Sequence, residues 1–412
     1  MLKNYFKIAI AVLKRRKFFT FISLFGISFT LTILMVATAF LDKVISAGYP
    51  DNKRDRSLYV ATMEFNNTKQ GWINRSDVSF YFLDHYVATL KTPEKLAISS
   101  SAQATNAYIN NKKIVINFKF TNAAYWEVLE YNFLEGKPYS AQEIATASQV
   151  AVISEDTKKA YFGDIPSALG KYILVDNVNY RVIGVVDNVN RTMYNIYGDV
   201  YLPYTVSKAD YKKVELMGGY NGILLAKNKA DMPKIQAEFD QMMTKVPIPD
   251  KEFDKLYSNA DPFFESMTRR IFGDGSNSGK SKALAILGTV VCLFVLLPTL
   301  NLVNINITRI MERSSEIGVR KAFGASSKTL VYQFIVENLI LTLLGGFIGI
   351  VLSVLIIYAI NDSQLIPNLN LTFNLKVLGY SLLACLFFGL ISGVYPAWRM
   401  SRLNVVTALK AQ

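Results

Sequence analysis

The chain has 412 residues, is 51% hydrophobic and carries a formal net charge of +13. Its mean hydropathy of +0.22 is high for a soluble protein and low for one made only of membrane spans. Both cysteines, Cys292 and Cys385, lie in long apolar runs, and the single histidine, His85, stands in a polar stretch. This argues against a disulfide framework, a Cys- or His-based zinc site and a Ser-His-Asp triad.

In chain order, a basic leader (1–17) precedes an uncharged apolar stretch at 18–41. That stretch is long enough to cross a bilayer core of about 30 Å as a helix. Ala37, Thr38 and Ala39 fit a signal-cleavage pattern, but the apolar run exceeds the usual length of about 7–15 residues, so an uncleaved anchor is expected. Three more spans are predicted at 283–307, 330–360 and 377–398. They are separated by a 308–329 connection and a short 361–376 loop, and followed by a 399–412 tail. The leader, the 308–329 connection and the tail together hold 14 basic and 2 acidic residues, against 30 basic and 28 acidic in 42–282. The positive-inside rule then places both termini and the 308–329 connection in the cytoplasm, and 42–282 and 361–376 outside. The basic excess is thus a topology signal and not a nucleic-acid footprint.

The 42–282 segment is long enough to bury its own core. Alternating or apolar runs predict strands at 114–120, 149–154, 172–175 and 180–186, with Asp176-Asn177 as a hairpin turn. A short helix is expected over 155–162, ended by Gly163. The flanks, 75–105 and 206–272, read as mixed helix and strand. The expected fold is four transmembrane α-helices with a large α+β extracytoplasmic domain, in which a β-rich subdomain is inserted into an α/β subdomain. DGSNSGKS, residues 274–281, imitates a phosphate-binding loop. Asp274 stands where the first glycine belongs, and no strand precedes the segment, so it reads as a flexible linker into the second span.

Within the 308–329 connection, 309–323 reads as a helix. Glu316 and Arg320 form a favourable i,i+4 pair, with Arg313 three residues before Glu316. Gly324 suits the left-handed residue that ends a helix, and Ser326 is an N-cap for the next. Such an elbow is either a solvated charged connector or a docking surface. Glu337, where the third span begins, either snorkels at the membrane boundary or anchors a basic residue of the elbow. Gly345 and Gly349 on the third span, and Gly389 and Gly393 on the fourth, are spaced by four as in close helix packing. Pro298 removes a backbone donor from the second span, where a kink is expected.

Arg313, Glu316, Ile317, Gly318, Val319, Arg320, Lys321, Ala322, Gly324, Ala325 and Ser326 resemble, in register, the signature of the FtsX/MacB superfamily of ABC-transporter permeases. The tail YPAWRMSRLNVVTALK (395–410) resembles the family's closing motif, departing at Met400 and Val405. VAVIS, YFGD, LGKYILVDNVNYRVIGVV and VYLPY follow the order of the MacB-type periplasmic core. The resemblance implies a non-enzymatic permease subunit of a bacterial inner-membrane transporter that binds no cofactor itself. It implies ATP and Mg on a separate cytoplasmic ABC ATPase docked on the elbow, and a second permease chain, identical or paralogous. Export with a periplasmic adaptor and an outer-membrane channel is the first functional expectation. A LolC/LolE-like lipoprotein-releasing permease and an FtsX-like regulator of a cell-wall hydrolase are the alternatives.

Overall fold

The computed structural model describes residues 10–372 except 12, 16, 110–111, 312–318, 320–322, 324–325 and 364, together with 375, 378–380, 383 and 386–387. The helices are α1 (Lys17–Ile45), α2 (Phe80–His85), α3 (Ala124–Val128), α4 (Ala141–Ala145), α5 (Glu155–Phe162), α6 (Met232–Met243), α7 (Phe263–Phe272), α8 (Lys280–Met311) and α9 (Ser327–Ser363). The chain divides into two compact units. One comprises Met1–Lys43, Ala285–Leu365 and Asn370–Gln412, and the other Val44–Leu284 with Ile366–Leu369.

In the first unit, two helices among the described residues are long and apolar enough to cross a membrane, Lys17–Ile45 and Val331–Ser363. α8 covers the predicted second span and continues as helix through Pro298, so the missing donor at that position does not break it. The predicted fourth span and the tail lie almost wholly outside the described residues. α1 and α9 meet through small residues. A Cβ placed on Gly345 would stand 2.8 Å from the Ile27 Cβ, and one on Gly349 would stand 2.8 Å from a Leu31 methyl. Thr32 Oγ1 donates both to Ser28 O in its own helix (2.7 Å) and to Gly349 O (3.2 Å). The glycines at this seam therefore serve close approach of two helices of one chain.

The second unit is built on a mixed sheet. Its strands are β1 (Ser57–Val60), β2 (Met63–Asn67), β3 (Trp72–Val78), β4 (Lys95–Ser100), β5 (Gln103–Ile109), β6 (Lys112–Thr121), β7 (Phe133–Gly136), β8 (Val150–Ser154), β9 (Tyr172–Val175), β10 (Val178–Val186), β11 (Val200–Pro203), β12 (Met217–Gly218), β13 (Tyr220–Leu225), β14 (Lys255–Ser258) and β15 (Asp261–Pro262). The main path runs β14-β2-β3-β13-β4-β6-β11-β8-β10-β7. β8 and β10 pair in parallel, as do β6 and β11, and the other pairings are antiparallel. The hairpin at Asp176-Asn177 has positive φ at both residues, the backbone that matches strand twist in a two-residue turn. α5 begins at the Ser154 cap, whose side chain accepts from Thr157 N, and ends at Gly163 with φ +74°.

Residues 107–202 close one apolar core around Phe118, Ile153 and Val182, while the flanks build another around Leu58, Phe82, Leu224 and Phe239. The β-rich region at 107–202 has an apolar core of its own, and shares another with the flanks through Tyr59, Ala97, Tyr125 and Tyr201. It is not a separate sheet, because β4 and β6 join across Ser99 and Thr121 and carry one ladder through both parts. Ile366–Leu369 cluster with this unit, and Asn368 Nδ2 donates to Asp156 Oδ2 at 3.0 Å.

Candidate functional site

The predicted elbow is described only in part. Arg313, Glu316, Ile317, Gly318, Arg320, Lys321, Gly324 and Ala325 lie outside the described residues, as do Gly389 and Gly393. Ser326 caps α9 as its sequence position implies. Its Oγ accepts from Thr329 N at 3.2 Å and lies 2.9 Å from Thr329 Oγ1. Phe323 N donates to Val319 O at 3.1 Å. Glu337 has no exposed surface and accepts from Gln333 Nε2 at 3.0 Å. A snorkelling carboxylate would reach the surface, whereas this one is buried; the basic elbow residues Arg313, Arg320 and Lys321 of the anchor alternative lie outside the described residues.

The structure draws attention to two places that the motifs do not mark, where the chain enters and leaves the second unit. At the first, Arg54 turns back onto the final turn of α1. Its Nη1 donates to the carbonyls of Val44 (3.0 Å), Ile45 (3.2 Å) and Ser46 (2.7 Å). These are the acceptors that a helix leaves unsatisfied at its C-terminus, and a cation is the charge the helix dipole favours there. Arg54 Nε donates to Asp51 Oδ2 at 2.8 Å, and both residues are buried. The Tyr59 hydroxyl donates to the same Asp51 oxygen at 2.6 Å. Burial pushes that hydroxyl well above its usual range, and the Asp51 charge adds to this, so Tyr59 stays a donor at neutral pH. The guanidinium carbon of Arg54 lies 3.8 Å from the centre of the Phe263 ring.

The second junction, Gly273–Gly279, is the stretch that resembles a phosphate loop. It follows helix α7, not a strand, so the phosphate-loop context is missing. It is also not a loose linker. Arg269 grips Asp261 in a bidentate pair (Nε–Oδ2 2.5 Å, Nη2–Oδ1 3.1 Å) and donates Nη1 to Gly275 O at 2.8 Å. Glu64 Oε1 accepts from Gly275 N at 3.0 Å. Glu64 Oε2 binds Arg75, whose Nη2 donates to Gly273 O at 2.7 Å. Asp274 and Asn277 exchange backbone bonds of 3.0 and 2.9 Å. Gly275, at φ +55°, lies with its Cα face against the Tyr257 ring, where a side chain would be both strained and crowded. The linker is held because both of its polar edges meet buried charges.

The two junctions share their supports. α7 carries Phe263, which faces Arg54, and Arg269, which holds Gly275. β15 carries Asp261 and pairs with β1 through Tyr59↔Asp261, while Tyr59 also bonds Asp51. The incoming and outgoing segments are thus fixed to one strand pair and one helix.

A third buried cation lies nearby. Lys119 on β6 is fully buried, and its Nζ donates to Asn195 O at 2.5 Å in the 187–199 loop. Burial lowers its pKa to about 7, with Asp77 opposing the shift. The folded protein therefore holds fewer protons here than the unfolded chain between about pH 7 and the ordinary lysine range, so stability rises with pH across that interval. Lys119→Met is expected to flatten the rise. Melting temperatures of both proteins from pH 6.5 to 9.5 check this, and parallel curves would rule it out. Among the described residues no group of three or more His, Cys, Asp or Glu could hold a metal ion.

Comparison with known proteins supplies the family. The family model of the MacB-like periplasmic core domain matches residues 20–242, and that of the FtsX-like permease C-terminal region matches residues 288–405. The chain belongs to the FtsX/MacB family of ABC-transporter permeases. Members of this family are inner-membrane proteins with a periplasmic domain that work with ATPase partners. The chain is 24% identical over 353 residues to the pyoverdine export ATP-binding/permease protein PvdT of Pseudomonas fluorescens, covering 80% of this chain and 51% of that protein. It is 28% identical over 289 residues to the macrolide export ATP-binding/permease protein MacB of Burkholderia pseudomallei, covering 69% of this chain and 41% of that protein. The chain thus spans about half the length of the curated relatives it matches. Among solved structures, the periplasmic region of MacB from Actinobacillus actinomycetemcomitans aligns with a TM-score of 0.36 at 14% identity, covering 51% of this chain and 92% of that one.

The FtsX/MacB assignment places the two junctions in context. Neither Arg54 nor Arg269 belongs to a motif that marks the family here. The available signal was spacing: an Asp three residues before an Arg just beyond a span, and an Asp eight residues before an Arg just ahead of the next.

Proposed function

We propose that the chain is the permease subunit of a MacB-type export machine. A cytoplasmic ATPase carried on another chain grips the elbow from Arg313 to Ser326, and its closure moves α8 and α9. A second permease chain completes the membrane unit, and the extracytoplasmic domain drives a substrate outward through an adaptor and an outer-membrane channel. The observation that carries the reading is the pair of arginine clamps. Loose chain at 44–54 and 261–279 would absorb helix motion as slack, whereas here both ends of the second unit are fixed by buried hydrogen-bonded charges. The proposed topology, with 42–282 and 361–376 on one side, draws support from the Asn368–Asp156 bond. Burial of Glu337 beside Gln333, about two to three helical turns beyond Ser326, suits a polar fixture within the first half of α9.

The test is capture of the ATPase. Tagged wild-type chain purified from its native cells should bring down an ATP-hydrolysing partner. Glu316→Lys, which reverses a charge four residues before Arg320 in the sequence, and Gly324→Pro, which replaces the glycine expected to end the helix, should each abolish the capture. Undiminished capture by both variants would remove the elbow from the mechanism.

A further inference from the structure

Beside the first junction lies a cavity of about 170 Å³. Its walls come from Val44, from Met193 and Ile196 in the 187–199 loop, from Phe263 and Met267 of α7, and from Arg54. Thr192, Tyr194, Asn195 and Ser266 complete the lining, yet most of its surface is apolar. The volume is close to the roughly 150 Å³ of apolar cavities that stay dry and bind benzene-sized molecules. Arg54 is 5% exposed, and its Nε and Nη1 are fully used. Its Nη2 has no hydrogen-bond partner among the described residues, and it is the only charged group among the buried side-chain atoms so found there. An unmade hydrogen bond at a buried cation is costly, and each such case in a folded protein calls for a cause.

We infer that this cavity binds a small apolar molecule, or the end of a lipid chain, that presents one neutral carbonyl oxygen to Arg54. The charge inventory selects a neutral acceptor over an anion. Asp51 already balances the guanidinium, so an incoming carboxylate would enter an apolar space with no unopposed cation to receive it. A ketone or ester oxygen satisfies the free donor without burying net charge. The loop that supplies two of the walls is held by Lys119 through Asn195 O, so that side of the cavity is formed in advance.

The probe is methyl hexanoate labelled with ¹³C at its carbonyl. It is titrated into the full chain in nanodiscs and followed by the carbonyl shift. A saturable component of one molecule per chain is expected. 2-Heptanone should displace it, and heptane should do so roughly tenfold less well, the worth of one hydrogen bond to a charged donor. Met267→Trp and Thr192→Trp fill the cavity from separate elements and leave the arginine in place. Either variant, melting at the wild-type temperature, should lose the saturable component. Equal displacement by heptane would reduce the site to an apolar void. Stronger displacement by hexanoate than by the ketone would replace the neutral acceptor with an anion. Wild-type binding in a folded tryptophan variant would move the probe elsewhere. Each of these results overturns the inference. Discs of diacyl ester lipid and of dialkyl ether lipid separate the two sources. Weaker probe binding in the ester discs assigns the site to lipid carbonyls, and equal binding assigns it to a free molecule; the site stands in both cases.

Discussion

Arg54→Met is expected to lower the melting temperature of the extracytoplasmic domain by on the order of 10 °C and, in the proposed export machine, to stop export while the ATPase continues to turn over. The substitution keeps much of the side-chain volume and removes the charge. Asp51, 1% exposed, then loses its ionic partner, and the carbonyls of Val44, Ile45 and Ser46 lose their shared donor. Breaking a buried pair by removing one partner costs about 3–5 kcal/mol, which in a domain of this size shifts melting by several degrees per two kcal/mol. Asp51→Asn should cost less, because Asn still accepts from Arg54 and Tyr59, and the double variant should fall well short of the sum. Differential scanning calorimetry of the full chain in nanodiscs reads the stability. Paired export and ATPase assays in reconstituted vesicles read the coupling. Wild-type melting together with wild-type export in Arg54→Met would show that this junction carries neither load.

What could be read from the sequence follows the range of the forces involved. The hairpin at Asp176-Asn177 and the helix from Ser154 to Gly163 are local: turn chemistry and caps act over a few residues, and both elements appear where spacing puts them. The α1–α9 seam was half legible. The small-residue spacing of Gly345 and Gly349 was visible, whereas their meeting with Ile27 and Leu31 depends on which helices are neighbours. The clamps were not legible. Arg269 reaches Asp261 eight residues back and Gly275 six residues on, while Glu64 reaches Gly275 across more than two hundred residues. Composition made 273–279 look loose, since glycine and serine usually mark mobile chain. Its fixation comes from buried charges brought up by distant strands, and no local pattern records that. The continuity of the sheet from β4 to β6 was hidden for the same reason, because it rests on a single long-range pairing at Ser99 and Thr121.

The second junction yields the other large effect, with a pH signature that separates it from simple unfolding. Arg269→Met is expected to release the 273–279 segment. The amides of Gly275 and Asn277 should exchange hydrogen far faster, and domain stability should fall by about 3–5 kcal/mol at neutral pH. Burial already raises the Asp261 carboxyl above its ordinary range, and Arg269 is what restrains the rise. Without the guanidinium, the folded state holds the Asp261 proton to higher pH than the unfolded chain does. A group whose folded pKa is raised adds stability at low pH and loses it as pH climbs through the folded value. The deficit of Arg269→Met relative to wild type should therefore shrink as pH falls from neutrality toward 5. Asp261→Asn placed on the same background should remove most of that pH dependence. Calorimetry of the three proteins across that range decides the matter. A deficit that is constant with pH would mean that Asp261 is not the charge left stranded, and that the outgoing strand and helix are held together by packing alone.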